Sequence, residues 1–340
     1  MTTLSDDVRR RATMTDVARL AGVSLKTVSR VVNDEPAVHP DTTARVLAAI
    51  ERLGFRRNAG ARNLRRGSTT GTIGLIVEDV GNPFYADLNR AVEKIATSSG
   101  RHVLTASSDE DPDRERELVL EFCARRVDGL LVVPAGTRHG YLAPEMRAGT
   151  PVVFLDRPPG DLVADTVLVD NVGGTVDAVA HLAAHGHRRV AFVGDSPRIF
   201  TAAERLRGFR EGCVRAGLDH DESLVMLRTP TQENVTDAVA RLLSGTGRAT
   251  AVIAGNNRIA VYLLRALAHI TPRPALISFD DFELADLLDP PVTVIGHDVG
   301  HLGRTAAELL FARVNGDDAP PRKVVLPVQL IPRGSAEVAP

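Results

Sequence analysis

Residues 14 to 57 carry apolar side chains at helical spacing and show no strand pattern. Apolar residues three or four positions apart form one stripe along a helix. Three groups of positions have this spacing: Val17, Leu20 and Ala21; Val28, Val31 and Val32; Val46, Leu47, Ile50 and Leu53. The N-terminal segment is therefore predicted to be helical throughout.

From Thr72 onward the pattern changes to short β-rich apolar runs separated by helical stretches. This alternation is typical of βαβ units and a parallel sheet, whose buried strands are apolar on both faces. The domain boundary is predicted between about residues 58 and 71. The predicted strands are Ile73 to Val77, His102 to Ala106, Gly129 to Val133, Val152 to Leu155, Val190 to Val193, Ala251 to Ala254 and Leu276 to Phe279.

Polar residues follow several of these runs, as at Asp79 to Pro83, Asp156 to Pro159 and Asp280 to Asp281. In open parallel sheets, ligands bind beyond the carboxyl ends of the strands. These loops are therefore the predicted location of a ligand site.

Composition adds a contrast between the two parts of the chain. A length of 340 residues favours more than one domain, and the formal net charge is only -2. Residues 1–67, however, hold 13 Lys and Arg against 7 Asp and Glu, whereas the remaining residues hold 28 against 36. A basic N-terminal module of this kind is typical of nucleic-acid binding.

Met14 to Asp34 fits a helix-turn-helix, with a first helix to about Leu20 and a second from near Ser24. Gly22 suits a turn position with positive φ, and Thr15 and Ser24 are the predicted N-caps. The alternative is an ordinary helical hairpin within a core.

In a helix-turn-helix, the second helix enters the major groove with its N-terminal residues over the base edges. Leu25, Lys26 and Arg30 are then predicted to contact bases, with Arg30 able to bond bidentately to guanine. A solvated surface lysine is the alternative for Lys26. The predicted phosphate contacts, which fix register without specifying sequence, are Thr15, Ser24, Thr27, Ser29 and Asn33.

Asp16 to Asn33 resembles, without a gap, the D-V-A-x-x-A-G-V-S-x-x-T-V-S-R-x-x-N motif of the lactose and galactose repressor (LacI/GalR) family. In that family a hinge of the form N-x-x-A-R-x-L follows, becomes helical on the operator and inserts its leucine into the minor groove. The matching residues here are Asn58, Ala61, Arg62 and Leu64.

A leucine flanked by arginines also suits a minor-groove kink on physical grounds, because the apolar side chain opens a base step while the cations neutralise phosphates. A basic linker is the alternative. Gly60 lies within the hinge and makes helix formation there harder.

Residues 71–335 resemble the rest of the family, so the predicted fold is a helical helix-turn-helix headpiece plus an α/β, two-lobed, periplasmic-binding-protein-like effector domain. The predicted boundaries are 1–57 for the headpiece, 58–70 for the hinge and 71–340 for the effector domain. The N-lobe is expected at about 71–168 and 297–324, and the C-lobe at about 169–296 and 325–340.

The resemblance implies that polar and aromatic residues at the strand ends face a cleft between the lobes. A sugar fits such a set, because charged side chains bond adjacent hydroxyls and an aromatic ring covers the apolar face. Individually, each residue has a structural alternative, such as an ion pair, a helix cap or a turn. The predicted effector-binding residues are Asn82, Phe84, Tyr85, Asp156, Arg157, Arg205, Asn256, Asp280 and His297.

Three positions depart from the family pattern. Pro230 stands where a stacking aromatic is common, His297-Asp298 replaces a common Gln-Pro, and Asn257 replaces a usual Asp. These departures leave the effector at the level of a small polar compound, with a sugar or sugar derivative favoured.

The resulting prediction is a homodimeric transcriptional repressor that binds a pseudo-palindromic double-stranded DNA operator under the control of a small effector. The chain carries none of the common catalytic motifs, its two cysteines lack metal-ligand spacing, and no cofactor or metal is predicted. No signal peptide or membrane span is recognised, which predicts a cytoplasmic protein. A DNA-binding regulator without effector response and a solute receptor of a transporter are the alternatives.

Overall fold

The computed structural model describes residues 12–33, 35–36, 38–55, 70–218, 221–245 and 247–340. The chain divides into two compact units, Met1–Thr70 and Gly71–Pro340. The predicted hinge residues Asn58, Ala61, Arg62 and Leu64 lie outside the described residues, so their minor-groove role stays a prediction.

The described part of the first unit forms three helices, α1 (Met14–Ala21), α2 (Leu25–Val32) and α3 (Pro40–Leu53). Most of their predicted apolar stripes meet in one small core, but Leu20 and Leu47 are 36% and 54% exposed and lie outside it. The buried members of this core are Val17, Ala18, Ala21, Val28, Val46 and Ala49.

Local signals in the sequence explain where the first two helices begin and end. Gly22 ends α1 in the left-handed conformation with φ 64°, as predicted. Ser24 caps α2, since its side chain accepts a hydrogen bond from the Thr27 amide. The prediction for Thr15 as a cap is wrong: Thr13 caps α1 in a reciprocal capping box with Asp16, and Thr15 lies inside the helix.

The second unit contains two six-stranded sheets. The first has the order β11-β5-β4-β3-β1-β2, and all its strand pairs are parallel. Its strands are β1 (Thr72–Val77), β2 (His102–Ser107), β3 (Leu130–Val132), β4 (Val152–Leu155), β5 (Asp165–Val169) and β11 (Lys323–Leu326).

The second sheet has the order β12-β10-β9-β8-β6-β7, and only its β10–β12 pair is antiparallel. The sequence pattern identified β6, β8 and β9 but neither the edge strands β7 and β12 nor the buried internal strand β10. The strands of this sheet are β6 (Val190–Gly194), β7 (Val225–Leu227), β8 (Ala251–Ala254), β9 (Ala275–Phe279), β10 (Thr293–Gly296) and β12 (Gln329–Ile331).

Helices pack against each sheet and bury apolar side chains on it, which gives two α/β lobes with their own cores. The N-lobe helices are α4 (Pro83–Ser98), α5 (Pro112–Ala124), α6 (Ala143–Arg147) and α11 (Val299–Val314). The C-lobe helices are α7 (Asn171–Ala184), α8 (Phe200–Arg215), α9 (Gln232–Leu242) and α10 (Asn257–Leu267).

The chain passes between the lobes three times, after β5, after β10 and after β11. Two of these crossings lie one or two residues beyond the predicted boundaries. β5 runs to Val169, and β11 keeps residues up to Leu326 in the first sheet because it pairs with β5 in parallel. The last crossing therefore falls at Pro327 and Val328 rather than at 324/325.

Among the described residues, no helix is long and apolar enough to cross a membrane. Of the two cysteines, Cys213 is buried and Cys123 is half-buried. Burial raises the pKa of each thiol to about 11, as expected for thiols with a structural role.

Candidate functional site

Helix α2 of the headpiece has one buried face and one exposed face. Val28 is fully buried in the headpiece core and fixes the orientation of the helix. Leu25, at 50% exposure, and Lys26 are both exposed at the helix N-terminus, and Lys26 lies on the side away from Val28. Arg30 is partly exposed, with its Nε 3.9 Å from the Glu35 carboxylate. The predicted base-contacting side chains therefore project from the headpiece at its surface.

The predicted phosphate contacts surround these side chains on α1 and α2. Thr15 and Ser24 are exposed, and the Ser24 and Thr27 hydroxyls lie 2.9 Å apart. The Asn33 amide donates to the Ser29 hydroxyl at 3.3 Å. Hydroxyl and amide groups at these positions are suitable donors to phosphate oxygens.

In the second unit, a cleft lies between the two lobes at the carboxyl ends of the strands. The free volume at its centre is about 40 Å³, which is room for only a few water molecules. A bound effector would have to separate the side chains or the lobes. The residues around the cleft are Glu78, Asn82, Phe84, Tyr85, Asp156, Arg157, Asp195, Ile199, Thr201, Ala202, Arg205, Gly255, Asn256, Asn257 and Asp280.

Arg157 is the central cation on the N-lobe side. Its guanidinium contacts both carboxylate oxygens of Glu110, at 2.6 and 2.8 Å, and donates to the Pro134 carbonyl at 3.0 Å. It also lies 3.5 Å from Glu78 and 3.7 Å from Asp156. One buried arginine is therefore shared among three carboxylates.

Burial, together with the neighbouring negative charges, raises the pKa values of the acids around Arg157. Burial, reinforced by the neighbouring charge of Glu110, raises the pKa of Glu78 from 4.5 to about 7. Burial likewise raises the pKa of Asp156 and of Asp195, despite the attraction of Arg157. Burial and charge crowding thus favour the protonated form of these acids.

Arg205 is the central cation on the C-lobe side, where it is held by four partners. Its guanidinium contacts Asp280 at 3.0 Å, donates to the Asn171 side chain and the Gly255 carbonyl at 2.7 Å each, and stacks 3.7 Å above the Phe279 ring. A buried arginine with this number of satisfied donors is rigidly placed.

Two neighbouring residues of α10 make polar contacts that join the lobes beside the cleft. The Asn257 amide of α10 donates to the Asn82 side chain of the N-lobe at 3.1 Å. Arg258, next along α10, contacts the Asp79 carboxylate at 2.8 Å and approaches Glu78 at 3.8 Å. These contacts hold the two lobes together in this structure.

His297 lies at the second crossing between the lobes, beside Asp280. Its ring packs edge-on against Phe84, with centroids 5.7 Å apart, and Nδ1 is 3.8 Å from the Asp280 carboxylate, beyond hydrogen-bond distance. Its side chain is 2% exposed. Within the described part of the chain, neither ring nitrogen has a hydrogen-bond partner.

Comparison with known proteins matches both units. A profile for the bacterial regulatory proteins of the lacI family matches residues 13–58, and one for a periplasmic binding protein-like domain matches residues 179–336. The ribose operon repressor of Escherichia coli (strain K12) is 34% identical over 330 residues, which cover 96% of this chain and 100% of the relative. The chain belongs to the lacI family of bacterial regulatory proteins.

Other members of the lacI family agree over a similar length. Catabolite control protein A of Priestia megaterium is 31% identical over 93% of this chain and 96% of the relative. The structure of the transcriptional regulator CelR in complex with cellobiose has 30% identity and a TM-score of 0.70 over 96% of this chain and 100% of that one. The lac repressor dimer bound to operator, at 24% identity, shares the fold with a TM-score of 0.81.

Within this lacI-family fold, the predicted effector residues come together from distant parts of the sequence. All of them except His297 line the cleft. His297 adjoins it through Asp280 and Phe84 but lies behind these two side chains. Asn82 and Asn256 have a second role, since each caps the helix that follows it.

Several charged residues of the cleft are not among the residues predicted from the sequence. Glu78 and Asp195 directly follow β1 and β6, so the strand-end signal could have identified them. Glu110 and Arg258 lie farther along their loops and helices, and only the contacts with Arg157 and Asp79 reveal their role.

Proposed function

We propose that this lacI-family protein is a sequence-specific transcriptional repressor whose operator affinity is controlled by a small polar effector. Its role is regulatory rather than catalytic. The observation that carries the proposal is the exposed N-terminal half of α2, seated on a buried Val28 and presenting Leu25 and Lys26 with Arg30 nearby. This is the surface with which a recognition helix contacts base edges in the major groove.

The effector is proposed to bind in the cleft between the lobes, among Asp156, Arg157, Arg205 and Asp280. Paired carboxylate and guanidinium groups at fixed positions suit the adjacent hydroxyls of a sugar, and Phe84 supplies an apolar wall. The CelR complex with cellobiose supports a sugar or sugar derivative for this chain as well. Binding there would change the relative position of the lobes and so the affinity for DNA.

A homodimer follows from the same proposal. One helix-turn-helix contacts few base pairs, and family members gain affinity by placing two headpieces on a pseudo-palindromic site. The lac repressor of the matching structure is a dimer on its operator, which supports this arrangement.

The proposal is tested by footprinting the intact protein on the DNA upstream of its own and adjacent genes at moderate salt. We expect protection of a pseudo-palindromic site. Arg30→Ala should weaken binding to this site by about 1–3 kcal/mol and relax the preference at one base position. Absence of any protected palindrome would contradict the proposal.

Arg19→Ala is the matched control, because Arg19 carries the same charge on α1 and its side chain is 75% exposed. Any loss caused by this variant should be equal for all operator sequences, since a phosphate contact carries no base specificity. If Arg30→Ala behaved in the same way as Arg19→Ala, Arg30 would not be a base-contacting residue.

A further inference from the structure

The guanidinium groups of the cleft are already paired with carboxylates of the chain. Arg157 contacts Glu110, Arg205 contacts Asp280 and Arg258 contacts Asp79, each with at least one distance of 3.0 Å or less. A ligand phosphate or carboxylate binds tightly where such donors are open to it. An anionic ligand in this cleft would have to displace a carboxylate from each arginine that it used.

Carboxylates also outnumber guanidiniums in this space. Glu78, Asp156 and Asp195 line the cleft in addition to the three paired acids. Burial raises the pKa of all three, and the charge of Glu110 raises that of Glu78 and Asp195 further. Where these acids are ionised they repel an additional negative charge, and where they are protonated they supply no positive charge to attract one.

His297 provides an independent observation about the ligand. Its imidazole is buried, and neither nitrogen has a hydrogen-bond partner among the described residues, a state that costs free energy unless a ligand or water satisfies it. A hydroxyl group donates and accepts, so it can satisfy either nitrogen, whereas a phosphate dianion only accepts. His297 borders a second opening that Phe84 and Asp280 also line. A ligand held by Asp280 reaches His297 once the Phe84 ring moves aside, and the small free volume of the cleft already requires such a movement.

We propose that the cleft selects an uncharged, hydroxyl-rich effector and rejects the phosphorylated and carboxylated counterparts of the same compound. This inference rests on the proposed effector control and adds the charge class of the effector to it. Glu78 is a specificity-determining residue in this scheme, and His297 is a contact for a ligand hydroxyl.

The test is calorimetric titration of the intact protein with matched pairs at about pH 8, where Glu78 is mostly ionised. The probes are D-ribose with ribose phosphate, D-glucose with glucose phosphate and gluconate, and cellobiose with cellobionate. We expect one uncharged compound to bind and its anionic counterpart to bind about tenfold or more weakly. An anionic compound that binds as tightly as its uncharged counterpart would overturn the charge selectivity alone. Failure of every compound to bind would count against effector control itself.

Glu78→Gln separates a role in charge selectivity from a structural role. Removing this carboxylate should bring the dissociation constants of the uncharged and anionic compounds closer together by about threefold or more. Glu93→Gln, the same change at an exposed position of α4, should leave their ratio unchanged. Equal losses for both compounds in Glu78→Gln would show a structural role only and contradict the assignment.

His297→Leu should not lower the stability of the free protein but should lower its affinity for the uncharged compound. The melting temperature of the free protein should stay the same or rise, because a buried polar group without a partner is removed. Affinity for the uncharged compound should fall about tenfold or more, and His297→Gln should restore part of it because an amide also donates and accepts. A fall in melting temperature with unchanged affinity would contradict the contact.

Discussion

The two sides of the cleft between the lobes use the same backbone geometry but differ in charge balance. Asp156 follows β4 with φ 63°, and Asp280 follows β9 with φ 64°, so each aspartate turns the chain in the left-handed conformation beside a buried arginine. On the C-lobe side, Arg205 pairs with one carboxylate, Asp280. On the N-lobe side, Arg157 is shared among Glu78, Glu110 and Asp156.

This difference shows that the local geometry of a strand end does not determine its electrostatics. Aspartate is one of the few residues that tolerate positive φ, which explains the recurrence of the turn. The charge balance depends instead on side chains contributed by other loops, such as Glu110 after β2. Arg205 is therefore rigidly held on the C-lobe side, whereas on the N-lobe side the pKa values of Glu78 and Asp156 around the shared Arg157 are raised.

The largest expected effect is on the C-lobe side. Arg205→Ala should lower the free energy of unfolding by about 3–5 kcal/mol, because it leaves the Asp280 carboxylate buried without its cation. A urea titration of the intact chain followed by circular dichroism measures this.

Arg207→Ala is the control on the same helix. Arg207 pairs with Glu204 at the surface, where an ion pair contributes about 1 kcal/mol or less. Equal effects of the two substitutions would show that Arg205 is not the anchor of the C-lobe side.

A smaller effect is expected from Arg157→Ala on the N-lobe side, about 2–3 kcal/mol at neutral pH. The carboxylates left behind can take up protons, so the loss should shrink as the pH is lowered from about 8 to about 6. Urea titrations across this range measure the trend. A loss that does not change with pH would remove the proposed difference between the two sides.

Glu78 should give the wild-type protein a specific pH dependence. Its pKa is about 7 in the folded chain against 4.5 for the free group, so the folded state binds the proton more tightly. The resulting stabilisation is fully present below about pH 4.5 and is lost as the pH rises through about 7. Relative to Glu78→Gln, the wild type should gain about 1 kcal/mol between about pH 8 and pH 6. If the free energy of unfolding changed with pH equally in the two proteins, Glu78 would not be the source of this pH dependence.

The smallest effect is expected from Arg258→Ala, which removes the ion pair between the lobes. The Arg258 side chain is 33% exposed, so the free energy of unfolding should fall by about 1 kcal/mol or less. Small-angle scattering should nevertheless show a more open effector domain, because the contact bridges two lobes. An unchanged scattering profile would show that the lobes are held together by the Asn257–Asn82 hydrogen bond and the packing of the lobe surfaces, and not by the Arg258–Asp79 ion pair.

Much of the fold was predictable from local patterns. The headpiece helices follow the spacing of their apolar residues, and the buried parallel strands β1, β4, β8 and β9 coincide closely with the apolar runs. Strands β7, β11 and β12 were missed because edge strands are short or half-exposed and lack a continuous apolar run. Strands β5 and β10 were missed although they are buried, because their apolar runs are only two or three residues long and begin after polar residues. The cap of α1 was placed two residues too late because Thr13 and Thr15 are chemically equivalent, and only the bond to Asp16 distinguishes them.

The sequence by itself determined the family, the helix-turn-helix and most of the side chains in the cleft, because these depend on short motifs and on residues at strand ends. The tertiary structure alone decided how the charges are paired. Glu110 meets Arg157, and Arg258 meets Asp79, across separations of 47 and 179 residues. Coulomb interactions depend on distance in space and on burial, and neither can be obtained from the spacing of residues along the chain.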